Sequence, residues 1–290
     1  DTRIDALVIS VPHYLHAPMT IKALQAGKHV MCDKPIATTV ADADRMMAVA
    51  AETGRKLSVN YPMRHSGKAR FARKLIREGV LGDIFAITIM NVGAKPSEYW
   101  SQGWNRVTRT DWRGSKAKSG GGATLMNSSH TIDLALHVTG LHAVDGKGLA
   151  GTFNSPPGIE VEDLSAGVLR LNNGGIMTVV TSSCYLGGIP TAASIAGTNG
   201  QIDLQGGDRN HLRLFLKESR GRDIKTDEWV EVPTEMPDDG GAYTMLFDQF
   251  ADAVQHGAPV PVTPADARHT LACVLSIYGE TPSIPPGYLA

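Results

Sequence analysis

Lys34 and His130 are the residues of this chain whose type and setting best suit catalysis. Lys34 follows a short apolar run, residues 29–32 (HVMC), and Pro35 comes directly after it. If that run is a buried parallel strand, Lys34 stands at its carboxyl end, where open α/β sheets bind ligands. Pro35 disfavours helix at that point. A lysine held there can donate to a hydroxyl oxygen and stabilise negative charge developing on it; the bland alternative is a solvated surface lysine. His130 lies after the glycine run at residues 120–122, at or near a helix start. Imidazole titrates close to neutral pH, so it can take a hydroxyl proton; the bland alternative is a neutral core histidine. Asn127 can orient a substrate or His130 through its amide, or merely cap the helix. His130, Asp133 and His137 fall at i, i+3 and i+7 and share one helix face. Such a two-histidine, one-carboxylate set suits a metal and keeps a metal-dependent sugar isomerase or lyase in view. No cysteine and no further close carboxylate completes that set, so no catalytic metal is expected. Asp133 then reads as a local hydrogen-bond partner and His137 as a partly buried aromatic.

These residues need elements to place them. Residues 4–11 (IDALVISV) form an almost wholly apolar, β-branched run that fits a strand buried on both faces. Residues 15–26 read as a helix stopped by Gly27. Residues 29–32 form a second strand, 40–53 a second helix capped by Thr38 or Thr39 and stopped by Gly54, and 57–60 a third strand. Right-handed crossovers make this β-α-β-α-β run three parallel strands, half of a doubly wound domain. No G-x-G-x-x-G turn lies between a strand and a helix. From about residue 64 the pattern changes. Residues 65–78 form an amphipathic helix and 85–92 a strand. Residues 95–119 are a long polar loop holding Trp100, Trp104 and Trp112, and loops of that length are usually functional. A helix follows at 128–138. Strands at 164–171, 176–183, 193–195, 201–204, 212–216 and 229–232 come next, the first two joined by an Asn172-Asn173-Gly174-Gly175 turn. Helices at 244–255 and 264–277 close the pattern. The expectation is α/β plus α+β: a partial Rossmann-type sheet over residues 1–63, then an open-faced, mostly antiparallel sheet with helices on one face over residues 64–290.

Composition narrows the classes. The 290 residues fit about two domains. With 42% hydrophobic and 20% charged residues, disorder is ruled out as the main state. The 28 basic residues are matched by 29 acidic ones, so there is no nucleic-acid footprint. No apolar run reaches transmembrane length. Cys32, Cys184 and Cys273 are too scattered for a metal knuckle or a disulfide framework, and a reducing, cytoplasmic setting is the default.

Several stretches in order resemble one family. Residues 9–16 (ISVPHYLH) resemble a strand-end TPxxxH segment. Residues 27–35 (GKHVMCDKP) resemble a GKHVxxEKP motif with Asp for Glu. Residues 119–122 (SGGG) with 130–133 (HTID) resemble a GGG…HxxD motif, and 161–163 (VED) and 197–200 (GTNG) resemble later VED and GTEG stretches. The chain thus resembles the Gfo/Idh/MocA oxidoreductases, named for glucose–fructose oxidoreductase and inositol dehydrogenase, from about residue 1 to residue 277.

The resemblance implies an NAD- or NADP-dependent oxidoreductase moving hydride between nicotinamide and a secondary alcohol of a sugar, inositol or related polyol. It implies catalytic roles for Lys34, His130 and Asn127. It implies cofactor contacts from Ser10, Val11, Pro12, Leu15, His16, Asp33, Lys34, Asn60, Trp112 and Arg113. Substrate contacts are expected from Lys34, Arg64, Trp104, Asn127, His130 and Tyr243, with Tyr99, Trp100 and Trp104 as an apolar wall for a sugar ring. Two departures stand out. The family often carries an acidic residue four positions before its histidine, and Met126 there cannot ionise. The family opens on a glycine-rich turn, so about 60 residues carrying G-x-G-x-x-G are expected upstream of Asp1. Without them, a non-catalytic sugar-sensing or assembly protein of the same fold becomes the competing class. A homodimer or homotetramer is expected through the open sheet face, where Val168, Ile176, Val179 and Val180 put apolar residues on both sides.

Overall fold

The computed structural model describes residues 1–102, 109–188, 191–205, 210–234 and 241–280. The first sixty residues give β1 (Ala6–Ile9), a 3-10 turn (His13–Leu15), α1 (His16–Gln25), β2 (His29–Asp33), α2 (Val40–Thr53) and β3 (Leu57–Asn60). The strands pair in parallel in the order β1-β2-β3. β2 is central, and its Val30, Met31 and Cys32 are fully buried. The local signals fall where the sequence puts them. Thr39 Oγ1 accepts the Asp42 N–H at 3.1 Å, its hydroxyl donates to the Asp42 carboxylate at 2.9 Å, and Gly54 ends α2 at φ 64°.

One expectation changes. β1 is not buried on both faces: Leu7 is 37% and Val8 58% exposed. It is an edge strand of this sheet, so side chains suited to a covered position meet solvent.

A 3-10 turn (Pro62–His65) leads into α3 (Gly67–Arg77) and β4 (Ile84–Val92). The long loop carries α4 (Glu98–Gln102) and α5 (Lys116–Ser119). A π-helical turn (Thr124–Ser128) opens directly into α6 (Ser129–Thr139). Then come β5 (Ala143–Gly151), β6 (Leu164–Leu171), β7 (Ile176–Ser182), β8 (Ala192–Gly197), β9 (Gly200–Asp203), β10 (His211–Leu216) and β11 (Trp229–Pro233), with α7 (Gly241–His256) and α8 (Pro264–Ile277) last. The eight strands form one sheet in the order β11-β10-β9-β8-β4-β7-β6-β5. Only β4 and β7 run parallel; the other pairs are antiparallel. β5 is absent from the sequence reading. Its AVDGKGLAG segment has three glycines and no alternation, which an edge strand tolerates because one side makes no pairing.

α6 and α8 pack on the same face of this sheet. Leu169, Leu171, Met177 and Val179 point into that buried layer, and a Cβ on Gly167 would come within 2.6 Å of Ile277. On the opposite face Val168 and Ile176 are each 45% exposed. α7 packs on the Pro62–His65 turn instead of covering that face. α8 also packs on α2 and β3, tying the two sheets together. Ser58 donates to the Val262 carbonyl at 2.9 Å, and Arg268 to Asp44 at 2.9 Å, across this junction. No described helix is long and apolar enough to cross a membrane.

Candidate functional site

Backbone position places Lys34. Ser10, Asp33 and Asn60 end the three parallel strands, and one carboxylate ties them together. Asp33 accepts from the Ser10 hydroxyl at 3.1 Å, the Asn60 amide at 3.2 Å and the Lys34 N–H at 2.9 Å. His16 fixes the two turns beside it. Its Nδ1 lies 2.7 Å from the Pro35 carbonyl oxygen and its Nε2 2.9 Å from that of Val11. With these turns held, the Lys34 ammonium leaves the strand end and donates to the Met126 carbonyl.

Met126 belongs to the π-helical turn. This turn is anchored by Glu162, whose carboxylate accepts from Gly122 N–H at 2.6 Å, Thr124 N–H at 2.9 Å and the Tyr278 hydroxyl at 2.7 Å. The glycine run is therefore a packing device. Gly120 has φ 81° and a Cβ there would lie 2.9 Å from Thr38 Cβ; on Gly122 it would lie 2.0 Å from the Glu162 carbonyl oxygen. Wider turns of this kind recur at functional sites. Here the turn brings Met126 to Lys34 and points Asn127 and His130 into the same space.

That space is a cavity of about 720 Å³ between the parallel-strand ends and the eight-stranded sheet. Lys34, Asn127 and His130 line it, with Lys95, Tyr99 and Arg113 opposite. Burial pushes His130 down to about 3, and the Lys34 charge adds to this. Its Nδ1 has no hydrogen-bond partner. Burial likewise brings Lys34 down to about 8; Asp33 opposes this, while Arg113 and Lys95 reinforce it. The site thus holds a neutral imidazole beside an ammonium that titrates close to neutrality, a combination suited to moving a proton on a hydroxyl oxygen.

The remaining expected residues divide. Tyr243 and Tyr99 line the cavity. Trp100 does not; it packs with Met126 and Val161 in a small apolar cluster. Trp104 lies outside the described residues. Trp112 packs against His13 with ring centres 4.5 Å apart and the planes tilted by 57°, and the Arg113 guanidinium covers Trp112 at 4.6 Å and Tyr99 at 5.2 Å. Ser10, Val11, Pro12, Leu15, Asp33 and Asn60 lie at or after the ends of the parallel strands and are not among the residues that line this cavity. Asn60 Oδ1 is buried without a partner. His16 is buried with both ring nitrogens taken by carbonyls, so it supports the turns and offers a ligand no nitrogen.

Arg64 departs from expectation. Its guanidinium grips the Asp133 carboxylate, with Nε at 2.7 Å, and reaches Asp266 at 2.8 Å. It faces a separate cavity of about 140 Å³ that also holds His137. Asp133 therefore pairs with Arg64, while His130 and His137 line different cavities. No group of three potential metal ligands converges among the described residues. Lys95 was missed in the sequence, since a single lysine in a loop carries no periodicity or motif.

Two family models cover nearly all of the chain. Residues 1–61 match the NAD-binding Rossmann fold of an oxidoreductase family, and residues 73–279 match the C-terminal alpha/beta domain of the same family. The chain belongs to the Gfo/Idh/MocA oxidoreductase family. Among Gfo/Idh/MocA relatives, 1,5-anhydro-D-fructose reductase of Ensifer adhaerens is 32% identical over 96% of this chain and 77% of its own length. The NADP(+) scyllo-inositol 2-dehydrogenase of Bacillus subtilis is 26% identical over 94% and 76%. The 2,7-anhydro-N-acetylneuraminate hydratase of Escherichia coli K12 is 27% identical over 90% and 66%. The chain thus spans about two thirds to three quarters of these relatives' lengths. Aldose-aldose oxidoreductase from Caulobacter crescentus, complexed with glycerol, superposes with a TM-score of 0.78 at 25% identity, covering 96% of this chain and 77% of that one. Levoglucosan dehydrogenase, in complex with NADH and levoglucosan, shares the Gfo/Idh/MocA fold at a TM-score of 0.80 and 22% identity, over 97% and 79%.

Proposed function

We propose that this protein is an NAD- or NADP-dependent oxidoreductase acting on a secondary alcohol of a sugar, inositol or related polyol. The meeting of Lys34 and His130 in one cavity at the parallel-strand ends carries this reading. The residues there fit a nicotinamide cofactor: Asn60 Oδ1 is a buried acceptor without a donor, and the strand ends are the usual seat of such a group. Ser10, Val11, Pro12, Asp33 and Asn60 would line its path, with Trp112 and Arg113 over it and Leu15 and His16 supporting the turns. When bound, the cofactor supplies the acceptor or donor of hydride.

The protein's own part is positional and electrostatic. Lys34 donates to the substrate oxygen and stabilises its negative charge. His130, neutral above about pH 3, is in the form that can take the hydroxyl proton during oxidation. Asn127 orients the substrate by its carboxamide. Tyr243 and Tyr99 border the ring. The division at residues 63 and 64 separates the cofactor half from the substrate half. The decisive assay follows NAD(P)H formation across a panel of sugars and inositols; no turnover with any of them would remove this reading. A metal-dependent isomerase or lyase loses its geometric basis, because Asp133 is held by Arg64 and His137 faces elsewhere.

The same reading includes a homodimer or homotetramer in a reducing, cytoplasmic compartment. The exposed face of β6 and β7, with Val168 and Ile176, is the interface that supports it. Light scattering should give a mass of two or four chains, and Val180→Glu should reduce it. A monomer mass for the parent protein would exclude the assembly.

A further inference from the structure

The imidazole of His130 borders the cavity without a hydrogen bond at Nδ1 to aim it, since that atom is buried and has no partner. The two histidines beside the parallel-strand ends are fixed differently. His13 Nδ1 lies 2.8 Å from the Ser119 carbonyl oxygen, and His16 is held through both ring nitrogens. Met126, four residues before His130, supplies no carboxylate. A histidine that moves a proton has to be aimed, and the usual device is a hydrogen bond on its second nitrogen. The outer torsion of a histidine side chain is broad, so without that bond packing must select the plane of the ring.

Tyr61 supplies the packing. Its ring and that of His130 have centres 5.7 Å apart and planes at 86°, an edge-to-face pair within the favoured range. Tyr61 is itself firmly held: it is 1% exposed, belongs to the main core, and its N–H donates to the Val59 carbonyl at 3.0 Å. It directly follows Asn60, the end of β3, whereas His130 belongs to α6. The pair therefore ties the imidazole to the parallel sheet. Tyr61 is not among the residues lining the cavity, and burial pushes its hydroxyl up. It neither meets a ligand there nor exchanges a proton near neutral pH.

Resting on the oxidoreductase reading, we propose that Tyr61 is a positioning residue for that reaction: its ring selects the plane of the His130 imidazole, and with it the direction from which the hydroxyl proton is taken. The ring does this, and the hydroxyl is not required. Loss of the ring leaves Lys34 and the strand ends in place and frees the imidazole to turn.

Steady-state kinetics of Tyr61→Met and Tyr61→Phe test this, with Tyr61→Leu replacing Tyr61→Met should that variant not fold. Tyr61→Met should lower kcat roughly 10- to 100-fold, the cost of a misaimed catalytic group, while KM and NADH affinity hardly move. Tyr61→Phe, which keeps the ring, should recover most of that loss. In a His130→Ala background Tyr61→Met should cost nothing further, because the group it aims is gone. A crystal structure of Tyr61→Met should show the His130 ring turned or in two orientations. Parent kcat in Tyr61→Met would overturn the proposal. So would an equal loss with and without His130, a Tyr61→Phe as slow as Tyr61→Met, or an imidazole that has not moved. Absence of turnover in the parent protein would remove the oxidoreductase reading, and the orientation of His130 in the Tyr61→Met structure would then decide this inference alone.

Discussion

His130 and Asp133 stand one turn apart on α6, yet their surroundings treat them oppositely. Asp133 is 1% exposed and saturated: Arg64 clasps both carboxylate oxygens, Thr270 donates from 3.5 Å, and Asp266 takes the remaining arm of Arg64. His130 is half-buried, borders a cavity of about 720 Å³ and keeps an unpartnered Nδ1. Buried charges are tolerated when paired and hydrogen-bonded, so the Arg64 cluster reads as structure. A site that must exchange a proton with a ligand has to leave groups unsatisfied until the ligand arrives. The two regions differ above all in the presence or absence of partners.

The sharpest way to break this comparison is to truncate both sides of it. His130→Ala and Lys34→Ala should each lower kcat by ~10²–10⁴-fold while Tm hardly moves. Full turnover in His130→Ala would remove it from the proton path. Asp133→Ala should act the other way, since it leaves Arg64 buried with only Asp266. A stability loss of roughly 3 kcal/mol or more is expected by urea unfolding. The paired replacement Arg64→Met with Asp133→Leu should recover much of that loss. An unchanged unfolding midpoint in Asp133→Ala would erase the distinction between the regions.

The smallest effect concerns pH. Lys34 must be protonated to donate and has been brought down to about 8, so activity should fall as pH rises through about 8. His130 is neutral throughout the working range, so its own limb lies far lower, near 3. Arg113→Met removes a neighbouring charge that disfavours protonated Lys34, and the alkaline limb should move to higher pH. Rate profiles of the parent and the variant, at fixed ionic strength, measure this. A limb that stays in place would mean that a group other than Lys34 sets it.

The sequence by itself determined most of the local elements and singled out Lys34 and His130 as the candidate pair. Thr39, Gly54 and the apolar runs mark the first three strands and two helices, because caps and periodicity act over a few residues. Lys34 and His130 were legible because each adjoins a strand end or a glycine run within motifs of recognisable order. Tertiary structure decided who meets whom. Arg64 reaches Asp133 across 69 residues and Asp266 across 202, and Lys34 meets Met126 across 92. No pattern in a short window encodes such pairings. Likewise, the sequence left Lys95 as one loop cation among others and gave Arg113 as a cofactor contact through the resemblance, with nothing to join the two. Their convergence with Lys34 follows from the packing of the two sheets around one cavity, and that packing is set by burial over the whole chain.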